Sequence, residues 1–247
     1  FKSILENVTI AYPQNQETRN YLKKMKINNI KLIGNIKFAE NNNKFNDKLN
    51  ETLNSELVKK KIWVASSTHN NEEILCAKAH IILKRYIKNL ITIIIPRHIH
   101  RKNEIINQIK NHNLKIACHS SNKKNLRDID VYLVDTFGET KKFHKVGSTV
   151  FLGGSIIKRG GQNPLEAARF GAKILHGPNT DNFKDVYKLL KSLKISKKVN
   201  TPMQLASAIN FKKNKVSGLK IKNIGEKILK KTIKELDKLI INEFKKT

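Results

Sequence analysis

The chain has 247 residues, enough for one large domain or one and a half ordinary ones. Its hydrophobic content of 39% supports a packed core and excludes a disordered chain. The 49 Lys+Arg against 20 Asp+Glu give a net charge of +29, which favours polyanions: nucleic acid, anionic membrane or phosphorylated substrates. The longest uninterrupted apolar runs, such as Ile93–Ile95, fall far short of the about 20 residues of a membrane span, so the chain is not expected to cross a bilayer.

The chain opens on Phe1, in a stretch that reads as the middle of a domain, so an upstream part is expected. Residues 1–40 hold a candidate strand at Ile30–Ile33, followed by GNIKF at 34–38. The Asn-rich start of 41–58 reads as a linker. From 59 to 210 strand-like and helix-like stretches alternate. Lys60–Ser66 reads as a buried strand and Glu72–Lys88 as a helix, with apolar residues from Ile74 to Ile87 at helical spacing. Leu90–Ile95 is a β-branched strand stopped by Pro96. A helix at Lys102–Asn111 and strands at Leu114–Cys118 and Asp130–Val134 follow. Glu139–Lys145 reads as a short helix and Thr149–Leu152 as a strand. Pro164–Phe170 is a helix opened by Pro and closed by Gly171, before a strand at Ala172–Leu175. The tail, 211–247, carries an amphipathic helix over Ile221–Lys246. Its stripe of Ile224, Ile228, Leu229, Ile233, Leu236, Leu239, Ile240 and Phe244 is expected to pack on this protein. Cys76 and Cys118 lie in separate segments without metal or CxxC spacing, so both read as buried thiols in a reducing, cytosolic compartment.

Strands alternating with helices imply an α/β fold with a Rossmann-like parallel sheet, whose ligands sit beyond the carboxyl ends of the strands. The loops with unusual chemistry follow strands: SSTHNNEE (66–73), PRH (96–98), DTFGE (135–139) and GGSIIKRGGQNPLE (153–166). They are expected to share one crevice. In the last, two glycine pairs permit tight turns, and Asn163 precedes a helix start whose free N–H groups suit phosphate or carboxylate. Glu166, in the first helical turn, either complements the helix dipole or accepts hydroxyls such as those of a ribose. The glycine pairs upstream and GPNTDNF (177–183) downstream favour the ligand. Gly138 and Glu139 offer a second helix start. Arg97 would emerge at the sheet edge, where a guanidinium can grip a phosphate. Thr68 and His69 follow a strand, and His69 either orients a substrate or caps a helix.

No metal-binding, dinucleotide or P-loop pattern occurs, so no metal or cofactor is expected. Two rival readings remain: an enzyme of similar fold with a uridine donor, and a basic nucleic-acid-binding protein. Against the second, no recognised binding motif and no aromatic interleaving accompany the basic runs. Lys, Asn and Ile are over-used throughout, so compositional drift explains the charge as readily as selection does.

Taken together, GNIKF, SSTHNNEE, IPRH, DTFGE and the run GGSIIKRGGQNPLEAARFGAKILHGPNTDNF resemble the 3-deoxy-D-manno-octulosonic acid (Kdo) transferases, in that family's order and over most of residues 1–210. The resemblance implies the second domain, with the end of the first, of a two-domain GT-B glycosyltransferase. Residues 1–40 would end the acceptor-side domain and 59–210 would bind CMP-Kdo. It implies transfer of Kdo from CMP-Kdo to the lipid A precursor in lipopolysaccharide synthesis, at the cytoplasmic face of the bacterial inner membrane, the protein being peripheral or anchored through its upstream part. Pro96 and Arg97, Phe137 to Glu139, and Asn163, Pro164, Leu165 and Glu166 would surround CMP. Lys37 would stabilise the transition state. An anionic membrane surface is an implied partner, and no specific nucleic acid is. The family's general base is a Glu of the first domain, and its segment is not found here.

Overall fold

The computed structural model describes residues 8–39, 48–122 and 125–244. The chain divides into two compact units, one formed by Phe1–Asn43 with Leu219–Thr247 and the other by Lys44–Gly218.

In the smaller unit, helix α1 (Gln16–Lys24) starts where the Asn15 side chain accepts the Thr18 N–H at 2.8 Å. The strand expected at Ile30–Ile33 is reduced to one parallel bridge between Ala11 and Ile30. A long helix (Lys215–Phe244, α9 in the numbering below) contributes its residues from Leu219 onward. A Cβ at Gly225 would overlap the Phe38 carbonyl, so glycine allows the helix to lie against that turn. The expected packing of the helix stripe needs correction. Ile224, Ile228 and Leu239 are half-buried, but Leu229, Ile233, Leu236, Ile240 and Phe244 are exposed.

The larger unit is a seven-stranded sheet, parallel throughout, in the order β3-β4-β2-β1-β5-β6-β7. Its strands are β1 (Lys61–Thr68), β2 (Leu90–Pro96), β3 (Ile116–Cys118), β4 (Val131–Leu133), β5 (Thr149–Leu152), β6 (Lys173–His176) and β7 (Ser196–Lys198). The helices are α2 (Glu51–Val58), α3 (Glu72–Lys84), α4 (Lys102–Asn111), α5 (Thr140–Val146), α6 (Leu165–Arg169), α7 (Lys184–Ser192), α8 (Pro202–Ala208) and then α9. The linker expected at 41–58 needs correction too. Residues 41–47 lie outside the described ones, but α2 follows, started by an Asn50 cap on the Leu53 N–H at 2.7 Å and held by buried Leu53 and Leu57.

Every residue of β2 is buried, as expected of a parallel strand covered on both faces. The right-handed crossover rule puts α3 and α4 on one face and α5, α6 and α7 on the other. Trp63, Ala65, Ile94, Leu133 and Phe151 share one core cluster with residues of α3, α4 and α8. From β1 the chain turns first to β2 and returns later to β5 on its other side. That reversal makes the carboxyl ends of β1 and β5 the switch point, where such sheets open a ligand crevice.

Candidate functional site

The predicted residues of the larger unit fall at the carboxyl ends of four adjacent strands. Thr68 and His69 end β1, Pro96 and Arg97 end β2, Phe137 to Glu139 follow β4, and Asn163 to Glu166 close the loop after β5. Lys37 lies in the smaller unit, exposed on a short turn (Ile36–Phe38).

The β1 end is irregular. Its register with β2 shifts between Ser66 and Thr68, and Ser67 takes a left-handed φ of 55°. Such bulges re-aim the residues that follow. Thr68 is fully buried, and its carbonyl accepts the Arg97 N–H at 2.9 Å. The Arg97 side chain is exposed. The His69 ring lies edge-on to that of His98, 5.7 Å between centroids, and its Nε2 is buried without a hydrogen-bond partner among the described residues. Burial, and then the charges of His98 and Arg159, lower its pKa.

The glycine-rich loop owes its shape to an acid whose place in the sequence marks only a helix start. Glu72, fully buried, accepts the backbone N–H groups of His69 (3.0 Å), Gly154 (2.7 Å), Ser155 (3.1 Å) and Ile156 (2.9 Å). One carboxylate thus joins the β1 end to the β5 end. Gly153 is required beside it, because a Cβ there would overlap the Ser67 carbonyl and come within 2.6 Å of Glu72 Oε2. Glu73, also fully buried, pairs with Arg101 at 2.8 Å. The GPNTDNF segment has a structural task in this loop: Asn179 Nδ2 donates to the Ile156 carbonyl and Asn182 Nδ2 to that of Arg159. These loop contacts explain the segment without a ligand.

After β4, Asp135 accepts from the Ser120 N–H at 2.8 Å and hydroxyl at 2.6 Å, and from Lys102 at 2.5 Å. Burial alone would raise its pKa, but these donors hold it below the ordinary carboxylate range. Phe137 is 79% exposed and Gly138, at φ 81°, has open space around it. Glu139 pairs with Lys142 at 3.0 Å.

The helix read at Pro164–Phe170 is shorter, Leu165–Arg169, with Asn163 Oδ1 accepting the Leu165 N–H at 3.1 Å. One free N–H is therefore already used, and the short helix carries little dipole, so the anion-binding helix start expected at Asn163 is corrected to a turn with an exposed Asn. Glu166 does not cap it. Its Oε1 accepts Nδ1–H of His144, a buried residue of α5, at 2.7 Å. Burial raises the Glu166 pKa, but the His144 hydrogen bond and the charges of His144, Lys141 and Arg169 outweigh that and lower it. No group of three or more His, Cys, Asp or Glu gathers into a metal-sized cluster among the described residues.

No family model matches the chain. It is 30% identical over 230 residues, 93% of its length, to the 3-deoxy-D-manno-octulosonic acid transferase of Rickettsia felis, and covers 49% of that protein. It is 30% identical over 217 residues, 85% of its length, to the enzyme of the same name from Haemophilus influenzae, and covers 50% of it. The chain is a relative of the Kdo transferases. It spans about half the length of the curated relatives it matches. Its fold is that of the C-terminal CMP-Kdo binding domain of WaaA from Acinetobacter baumannii, with a TM-score of 0.58, 22% identity, and coverage of 70% of this chain and 90% of that one.

Proposed function

We propose that this chain is the donor-binding part of a glycosyltransferase that moves Kdo from CMP-Kdo to the lipid A precursor in lipopolysaccharide synthesis. The observation that carries the reading is the convergence of four motifs at the carboxyl ends of β4, β2, β1 and β5, in a chain related to Kdo transferases over most of its length. In this reading, the exposed Arg97 takes the phosphate of CMP, Phe137 to Glu139 meet the base, and Glu166 takes the ribose hydroxyls. Asn163 to Leu165 frame the Glu166 position.

Breaking the bond between sugar and phosphate leaves negative charge on CMP and positive charge on the sugar. Fixed donors aimed at the leaving phosphate lower that barrier, by about 3–4 kcal/mol for a strong single donor. Arg97 fills that role, and Lys37 carries the transition-state role implied by the resemblance. The general base that takes the acceptor's proton comes from the acceptor-side domain. The excess of cations suits the phosphates of the acceptor and an anionic leaflet, at about 1 kcal/mol per well-placed residue, and supports a location at the cytoplasmic face of the inner membrane.

Calorimetric titration of the chain with CMP, UMP and duplex DNA tests this. Saturable binding that prefers CMP is the expected result. Preference for UMP, or DNA binding that persists at near-physiological salt, would transfer the chain to another function.

A further inference from the structure

We infer that His144 is the positioning residue for Glu166, and that it makes nucleotide recognition depend on the ribose hydroxyls. The inference rests on the reading of Glu166 as the ribose-binding carboxylate.

Three observations carry it. First, His144 lies on α5, just beyond the 137–139 loop, and Glu166 on α6, just beyond the glycine-rich loop; the contact joins the two loops assigned to the nucleotide. Second, the bond fixes the chemistry of both groups. A carboxylate only accepts, so Nδ1 carries the proton and donates it to Oε1 at 2.7 Å. The bond engages Oε1, and the Glu166 side chain is 38% exposed, so a ligand hydroxyl can reach its carboxylate. Third, His144 is 3% exposed and its Nε2 is buried without a hydrogen-bond partner. Its whole polar attachment among these groups is therefore the bond to Glu166. A ring needed only to fill space would be better supplied by phenylalanine, as at the neighbouring Phe143. The imidazole instead keeps a donor aimed at one carboxylate oxygen, which sets the rotamer of the other.

The function so assigned is discrimination. With Glu166 held, a nucleotide bearing both ribose hydroxyls gains a contact that a 2′-deoxynucleotide cannot make. With Glu166 loose, the two ligands bind more nearly alike.

The test is calorimetry of the chain with CMP and with 2′-deoxy-CMP, for the unaltered protein, His144→Phe, His144→Asn and Glu166→Gln. CMP should bind the unaltered chain about tenfold more tightly than 2′-deoxy-CMP, near the value of one charge-assisted hydrogen bond. His144→Phe should lose most of that ratio by weakening CMP while leaving 2′-deoxy-CMP within about twofold. His144→Asn, which retains a donor, should restore part of it. Circular dichroism and the thermal midpoint report whether His144→Phe still folds; if it does not, the His144→Asn and Glu166→Gln ratios decide. Equal losses for both nucleotides in His144→Phe, or a His144→Asn ratio no better than that of Glu166→Gln, would overturn the positioning role alone. Failure of the unaltered chain to bind CMP would overturn the reading beneath it as well.

Discussion

Glu72 shows how much one buried side chain can organise. A carboxylate removed from water is stable only if its oxygens are satisfied, and four backbone N–H groups from two loops satisfy this one. Glu72→Ala should strand several of those donors, at about 1–3 kcal/mol each, and lower unfolding stability by about 3 kcal/mol or more in a denaturant titration. An unchanged midpoint would mean that the loop is held by other means. Asp130 makes a second residue-scale prediction. It contacts Lys84 at 2.5 Å, His80 at 3.4 Å and the Lys115 N–H at 2.9 Å. Burial would raise its pKa, but these groups together bring it well below the usual range. A depressed carboxylate stabilises the fold above its unfolded value, about 3.9, and that stability is lost as pH falls through the folded value. The stability difference between the unaltered chain and Asp130→Asn, followed by urea unfolding, should be constant above about pH 5 and shrink below about pH 4. A difference that grew on acidification would contradict the sign. The candidate site was legible as far as its placement goes: IPRH, DTFGE and NPLE each follow a strand and fall at the carboxyl edge of the sheet. Its supports were not. Glu72 finds Gly154 across 82 positions and His144 finds Glu166 across 22, and no local pattern marks either pair.

Among elements, the glycine-rich loop is the least replaceable. Gly153→Ala would drive a methyl group into the Ser67 carbonyl and toward Glu72, whose carboxylate is fixed by four backbone N–H groups. The expected outcome is a thermal midpoint lower by several degrees, corresponding to about 1–3 kcal/mol of overpacking, with weakened CMP binding. Binding lost at an unchanged midpoint would show that the loop has moved without strain. The central strands were readable because runs such as LITIII are β-branched and buried on both faces. The edge strand β7 was not, since SKK is polar and gains its place by pairing with β6. The helix read to Lys88 ends at Lys84, and the chain enters β2 through Asn89, left-handed at φ 57°. Helices α7 and α8 did carry signals: Val186, Tyr187 and Leu190 share one face of the first, and Thr201 before Pro202 caps the second. Their apolar stripes are short, and lysines interrupt that of α7.

For the molecule as a whole, the charge is unevenly committed. Glu73, Asp130 and Asp135 are all buried and all bonded to cations, whereas 49 Lys+Arg face only 20 Asp+Glu in total. The cations in excess repel one another, and that repulsion opposes folding more than surface ion pairs of about 0–1 kcal/mol support it. Raising NaCl from about 0.02 M to about 0.3 M shortens the screening length from roughly 20 Å to roughly 6 Å. The thermal midpoint should therefore rise by a few degrees; a fall would mean that ion pairs dominate. Sodium phosphate at matched ionic strength then separates the two origins of the basicity. If drift produced it, screening is all that matters and the two salts coincide. If the cations form sites for phosphate groups, phosphate binds the folded state and raises the midpoint further, by an amount that grows with the logarithm of its concentration.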